Sequence, residues 1–120
     1  VAVNVAGALN GLGAAFIATG DSEQADSLLR ESLAIRKAKR GPKSWEAAES
    51  KSFLGASLAA RERYAEAEPL LREAHATLRR TRSPDDPYTR QTLRHLVQFY
   101  DEWGRPDQAA AWRDSLAVAR

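Results

Sequence analysis

Val5, Leu9, Leu12 and Phe16 recur at steps of four, three and four, which puts them on one side of a helix running from near the start of the chain to about Thr19. Gly20 ends it. Asp21 with Gln24 three residues on has the form of a capping box, and Ala25, Leu28, Leu29, Ser32 and Leu33 continue as the inward stripe of a second helix ending near Arg40. Gly41–Pro42 breaks the chain, and Ser44 is placed to cap a third helix that carries Phe53, Leu54, Gly55 and Leu58 and is expected to reach about Arg63. The fourth helix, Tyr64 to about Arg80, contains Pro69, whose missing N–H and ring should open or bend the ladder near Ala65. Ser83–Pro84–Asp85–Asp86–Pro87 is the next break. Asp86 followed by Pro87 is a start signal, because the fixed φ of proline suits the first helical position. A fifth helix then runs through Leu93, Leu96 and Tyr100 to Trp103, Gly104 ends it, and Pro106 opens a sixth that lasts to the end of the chain.

These helices come in pairs that share one register forty-two residues long. Asp21–Ser32, Arg63–Ala74 and Arg105–Leu116 align, so that Ala25, Ala67 and Ala109 fall in one column and Leu28, Leu70 and Trp112 in another. Leu12–Gly13, Leu54–Gly55 and Leu96–Val97 align on the first helix of each pair, as do Phe16, Leu58 and Tyr100, while Pro42 and Pro84 align in the linkers. The small residue after the leucine and the alanine column let the two helices of a pair approach closely. The expectation is one all-α domain: an α-α superhelix, or solenoid, of three helix-turn-helix units at about residues 1–41, 42–83 and 84–120. Two positions depart from the register. Glu62 stands where the turn glycine is expected, and Arg113 stands where Leu29 and Leu71 do, so the final helix is expected to sit looser or to mark the end of the array.

Composition narrows the chemistry. The chain has 120 residues, enough for one domain with a real core, and no cysteine, which excludes disulfides and thiolate metal sites and suits a reducing compartment, the cytoplasm. Eighteen basic against sixteen acidic residues leave a net charge of +2, too little to point to nucleic acid or an anionic membrane. The residues Val1–Gly20 are apolar but carry Asn4, Asn10 and four glycines and lack a basic leader, so they read neither as a signal nor as a spanning segment. With no methionine, and a start at Val1 inside a helical pattern, the chain reads as a piece of a longer protein. No nucleophile lies beside a candidate base. His75 and His95 are isolated, on different helices, with no second ligand at metal spacing, and read as surface or boundary residues. Neither catalysis, metal nor cofactor is expected.

The columns resemble those of the tetratricopeptide repeat family over the whole chain: Leu, Gly/Ala and aromatic positions on the first helix and Ala on the second. The usual unit is about 34 residues; a forty-two-residue unit with a proline-containing linker is similar to the type found in kinesin light chains and bacterial signalling proteins. Ser83–Pro84–Asp85–Asp86–Pro87 resembles the linker motif GPDHP of that type, and Leu9–Asn10–Gly11–Leu12–Gly13 resembles its LNNLA. The last unit, from Tyr88 to Arg113, is similar to the C-terminal repeat tails of bacterial serine/threonine protein kinases, with none of the kinase catalytic motifs present.

In that family the first helices line a concave face that binds partner peptides or helices. The resemblance therefore implies a non-catalytic interaction scaffold, with Asn10, Ile17, Glu49, Ser52, Gln91, Arg94, Gln98 and Asp101 as candidate partner-binding residues and Gly7, Ala14, Ala56 and Ala59 as the floor between them. A structural or dimerising kinase tail is the alternative. Binding of nucleic acid through Arg36–Arg40 and Arg79, Arg80 and Arg82 is a further one, weakened because the helix dipole already accounts for cations at helix C-termini. Gly7, Gly11 and Gly13 are expected to be packing glycines, Trp45, Trp103 and Trp112 to pack between helices, and the apolar segment Val1–Leu9 to lie exposed and favour self-association.

Overall fold

The fold is taken from a computed structural model that describes residues 2–118, with side chains from residue 4 onward. Among these residues six helices follow one another with no strand: α1 (Ala2–Ala18), α2 (Ser22–Arg40), α3 (Trp45–Ala60), α4 (Tyr64–Thr81), α5 (Pro87–Glu102) and α6 (Pro106–Val118). Val1 and the last two residues of the expected sixth helix lie outside the described residues. Each odd helix packs on the even helix after it, α2 meets α3, α4 meets α5, and α1, α3 and α5 follow one another along one side, which makes a short helical solenoid. No helix of the structure is long and apolar enough to cross a membrane.

Local chemistry sets the boundaries. The Asp21 carboxylate accepts from Gln24 N at 3.2 Å, Ser44 Oγ from Ala47 N at 3.2 Å and the Asp86 carboxylate from Tyr88 N at 2.9 Å, so three helices start on side-chain caps. The turn inside each pair has the same wiring. Asp21 N donates to Phe16 O, Arg63 N to Leu58 O and Arg105 N to Tyr100 O, at 2.8, 2.9 and 2.8 Å. Each of these turns passes through a left-handed residue: Gly20 at φ 87°, Glu62 at φ 59° and Gly104 at φ 73°. Glu62 thus keeps the glycine conformation without being glycine, and for that reason α3 stops at Ala60 rather than near Arg63. Pro69 leaves α4 as one helix from Tyr64 to Thr81; Ala65, whose carbonyl it frees, is exposed and open to water.

The core follows the repeat columns. Ala25, Leu29, Leu54, Leu58, Ala67, Leu71, Leu96, Phe99, Tyr100 and Ala109 form one buried cluster, with Trp103 and Trp112 packed against it, and Trp45 packs against a second cluster of Ala48, Ala74 and Leu78. A Cβ at Gly13 would meet Leu29 Cγ at 2.7 Å, and one at Gly55 would meet Leu71 Cγ at 2.7 Å, so both glycines admit the leucine of the paired helix. Gly11 is different. Nothing lies within 4 Å of a Cβ built there, and at Gly7 the nearest atom is Arg36 Nη2 at 3.8 Å, so neither is a packing glycine.

The α1 stripe is also corrected. Val5 and Leu12 are 45% and 49% exposed, and the buried side of α1 is Ala6, Asn10 and Gly13. The reason lies in the register. Ala47 and Leu54 on α3, and Thr89 and Leu96 on α5, occupy the same columns as Val5 and Leu12 and are buried, because a preceding helix pair covers them.

Candidate functional site

Two rows of side chains, one on α3 and one on α5, define the side of the solenoid formed by the odd helices. Glu49, Phe53, Ala56 and Ala60 follow each other at helical spacing on α3, and Gln91, His95, Gln98 and Glu102 do so on α5. Between the rows lie two hollows. The first, about 240 Å³, is lined by Glu49, Phe53, Tyr88, Gln91 and Arg94 among others, and the second, about 190 Å³, by Ile17, Ala56, Ala60, Gln98 and Glu102 among others. Phe53 borders the first and His95 the second, and their rings meet edge to face with centroids 4.9 Å apart, a ridge that divides the groove.

His95 is held from both ring nitrogens. Its Nε2 is 3.1 Å from Gln91 Nε2, an amide nitrogen that can only donate, so Nε2 accepts and the proton resides on Nδ1, which donates to Ser52 Oγ at 2.7 Å. Thr92 Oγ1 also donates to Ser52 Oγ, at 2.8 Å. Burial, and secondarily the charge of Arg94, lower the His95 pKa to about 4, so the imidazole is neutral at physiological pH. It serves as a packed, hydrogen-bonded strut rather than a titrating base. At the other end of α3, Arg36 Nη1 reaches Glu46 O at 3.0 Å, Glu49 Oε1 at 2.9 Å and Ser50 Oγ at 3.2 Å, which fixes Glu49 at the groove margin and neutralises it.

The eight residues singled out from the sequence separate into two sets. Ile17, Glu49, Gln91, Arg94 and Gln98 line the hollows. Asn10 does not open onto a groove: it is 5% exposed, and its Oδ1 accepts from Ser50 Oγ at 3.0 Å inside the packing of α1 against α3. Ser52 borders the first hollow but is 1% exposed, its hydroxyl engaged by His95 and Thr92. Asp101 lines neither hollow, and its carboxylate lies 2.8 Å from Arg113 Nη2 on α6. Sequence reasoning missed Phe53, His95, Glu102 and Tyr88. Three of these follow from the forty-two-residue columns taken one helical position over: 11, 53 and 95, then 18, 60 and 102.

The charge layout along α5 is simple. Arg94 is exposed at the first hollow and has no ion-pair partner among the described residues, while Glu102 at the second accepts from Gln98 Nε2 at 2.9 Å. Eight residues separate them, about 12 Å along the helix. A hollow of about 360 Å³ between α4, α5 and α6, lined by His75, Arg79, Leu93 and Val118 among others, is larger. It is bounded by the last described residue and belongs to the other side of the α5 helix. Among the described residues no three His, Asp or Glu side chains gather as a metal site.

Comparison with known proteins accords with this architecture. No curated protein matches the chain. The crystal structure of BtubC (BKLC) from P. vanneervenii superposes with a TM-score of 0.80 at 23% identity, over 97% of this chain and 46% of that one, so the chain spans about half the length of BtubC. The crystal structure of the TPR domain of Arabidopsis FLU gives a TM-score of 0.78 at 19% identity, over 98% of this chain and 96% of that one. At such identities the likeness concerns the fold. Two family models, both described as tetratricopeptide repeat, match residues 5–46 and 46–113, the second alone covering more than half of the sequence. With its helix pairs, alanine column and shared turn wiring, the chain belongs to the tetratricopeptide repeat family.

Proposed function

We propose that this protein is a non-catalytic interaction scaffold that holds a peptide or helix of a protein partner in the groove between the α3 and α5 rows. The observation that carries this reading is the groove itself: two hollows divided by the Phe53–His95 ridge, floored by Ala56 and Ala60 and rimmed by the amides of Gln91 and Gln98. Side-chain amides both donate and accept, as a peptide backbone requires. The groove is preformed by helix packing, so little ordering cost falls on the scaffold. Arg94 at one end and Glu102 at the other select a partner with an acidic group and a basic group about 12 Å apart, or about eight residues of helix. The absence of cysteine suits a cytoplasmic setting, and a net charge of +2 gives a polyanion little to hold.

The test is a peptide selected from a random library on the immobilised protein, with affinity measured by calorimetry. Arg94→Glu and Glu102→Lys should each weaken binding by about tenfold, about 1.4 kcal/mol, with the circular dichroism spectrum unchanged. Asp101→Lys, which lies outside both hollows, should leave affinity within about twofold. Failure to select any peptide above background, or equal affinity in all three variants, would reject this groove as the binding surface.

A further inference from the structure

The two hollows of the groove are one pattern written twice. Glu49, Ser52 and Phe53 on α3 border the first, and Ala56, Ala59 and Ala60, each seven residues further on, border the second. On α5, Tyr88, Gln91 and Thr92 border the first, and His95, Gln98 and Phe99, again each seven residues further on, border the second. Seven residues are about two helical turns, so the hollows repeat along both walls at about 10.5 Å. The Phe53–His95 ring contact stands between them.

This period decides the shape of what fits. A helix laid along the groove presents side chains i and i+7 on one side, also about 10.5 Å apart, and this is the spacing at which paired helices set knobs into holes. An extended chain presents one face every second residue. Its side chains on that face come at about 6.8 and 13.6 Å, so none meets the second hollow when another fills the first, and the side chain at i+3 points away. The hollows are also unequal. The rings of Phe53 and Tyr88 border the first, of about 240 Å³, whereas three alanines and Ile17 of α1 border the second, of about 190 Å³. Charge adds to the match: exposed Arg94 at the first hollow has no ion-pair partner among the described residues, and Glu102 is exposed at the second.

We infer that the occupant of the groove is an amphipathic helix of a partner protein, with a bulky apolar side chain at i in the first hollow and a smaller apolar one at i+7 in the second. Residues i+3 and i+4 of that helix cross the Phe53–His95 ridge and are glycine, alanine or serine. An acidic residue lies beside the first anchor, facing Arg94, and a basic one beside the second, facing Glu102. The inference rests on the groove being the binding surface and adds the conformation and register of the ligand.

The test selects two libraries of peptides of about 18 residues on the immobilised protein, one locked as a helix by lactam bridges along its outer side, the other kept extended by alternate N-methylated residues. Binders are expected from the helical library alone, sharing two apolar residues seven apart with a small pair between, and losing about tenfold in affinity against Arg94→Glu. Ala60 is exposed, so Ala60→Leu fills the second hollow without touching the core. It should weaken the same binders by about tenfold with the helical spectrum unchanged, and alanine at the peptide's i+7 position should recover most of that loss. Extended binders that are lost against Arg94→Glu would overturn the inference and leave the groove as the binding surface. No binder from either library would overturn both. Helical binders that lack the seven-residue spacing, or that are indifferent to Arg94→Glu or Ala60→Leu, would also overturn the inference.

Discussion

Single residues decide how closely each helix pair can close. Gly13 faces Leu29 and Gly55 faces Leu71, each with a Cβ site 2.7 Å from the leucine Cγ; in the third pair the same two columns hold Val97 and Arg113. Both positions change together: where the first helix gains a branched side chain, the second loses its buried leucine, and Arg113 turns to Asp101 instead. Gly55→Ala is therefore expected to destabilise by about 1–2 kcal/mol, because overpacking outweighs the gain in helix propensity. Gly11→Ala meets nothing and should stabilise by about 0.5–1 kcal/mol. Denaturant midpoints measured on the two variants should move in opposite directions. Glu62, held at φ 59°, offers a third reading of the same kind: Glu62→Gly should raise the midpoint by the equivalent of about 0.5–1 kcal/mol, since relief of the left-handed strain exceeds the added entropy of the unfolded chain.

At the level of elements, the helices are cut by their caps and joined by buried polar contacts. α3 bonds to α1 and α2 through Ser50, Ser57 and the Arg36 guanidinium, and α5 bonds to α3 through the Ser52, Thr92 and His95 set. The second set makes the packing of α5 on α3 sensitive to pH. The folded-state pKa of His95 is lowered to about 4, while the unfolded value is about 6.5, so the stabilisation is fully present above about pH 6.5 and is lost as pH falls through 4. The unfolded state takes up the proton first, and the loss across that window is on the order of 3 kcal/mol. His95→Asn, whose amide nitrogen replaces the Nδ1 donor to Ser52, should flatten the fall in stability between pH 6.5 and 4. Stability curves of equal slope in the two proteins would show that His95 does not control this junction. The spacing of residues places His95 on a helix but not at a junction, because its column neighbours, Gly11 and Phe53, carry no polar group to announce a hydrogen-bonded site.

For the whole molecule, the repeat produces two surfaces of different character. One is the groove with Arg94 and Glu102 at its ends, and the other is the neutral α1 face. Peptide binding in the groove should weaken as ionic strength rises, because the exposed charges of Arg94 and Glu102 are screened.

The sequence by itself determined the number of helices, their pairing and their turns, because helix periodicity, capping residues and the forty-two-residue register are local properties that each segment carries alone. Tertiary structure decided which side of each helix is covered. Asn10 and Ser52 sit at helix positions that the family resemblance assigns to the concave face, yet the approach of α3 to α1 and of α5 to α3 encloses them, and their polar atoms bond within the protein. Val5 and Leu12 have the opposite fate: their spacing reads as a core stripe, and they are exposed because no helix pair among the described residues packs on that side of α1. Burial depends on the neighbour as well as on the residue, and along a repeat the same column is inside or outside according to whether a neighbour is there.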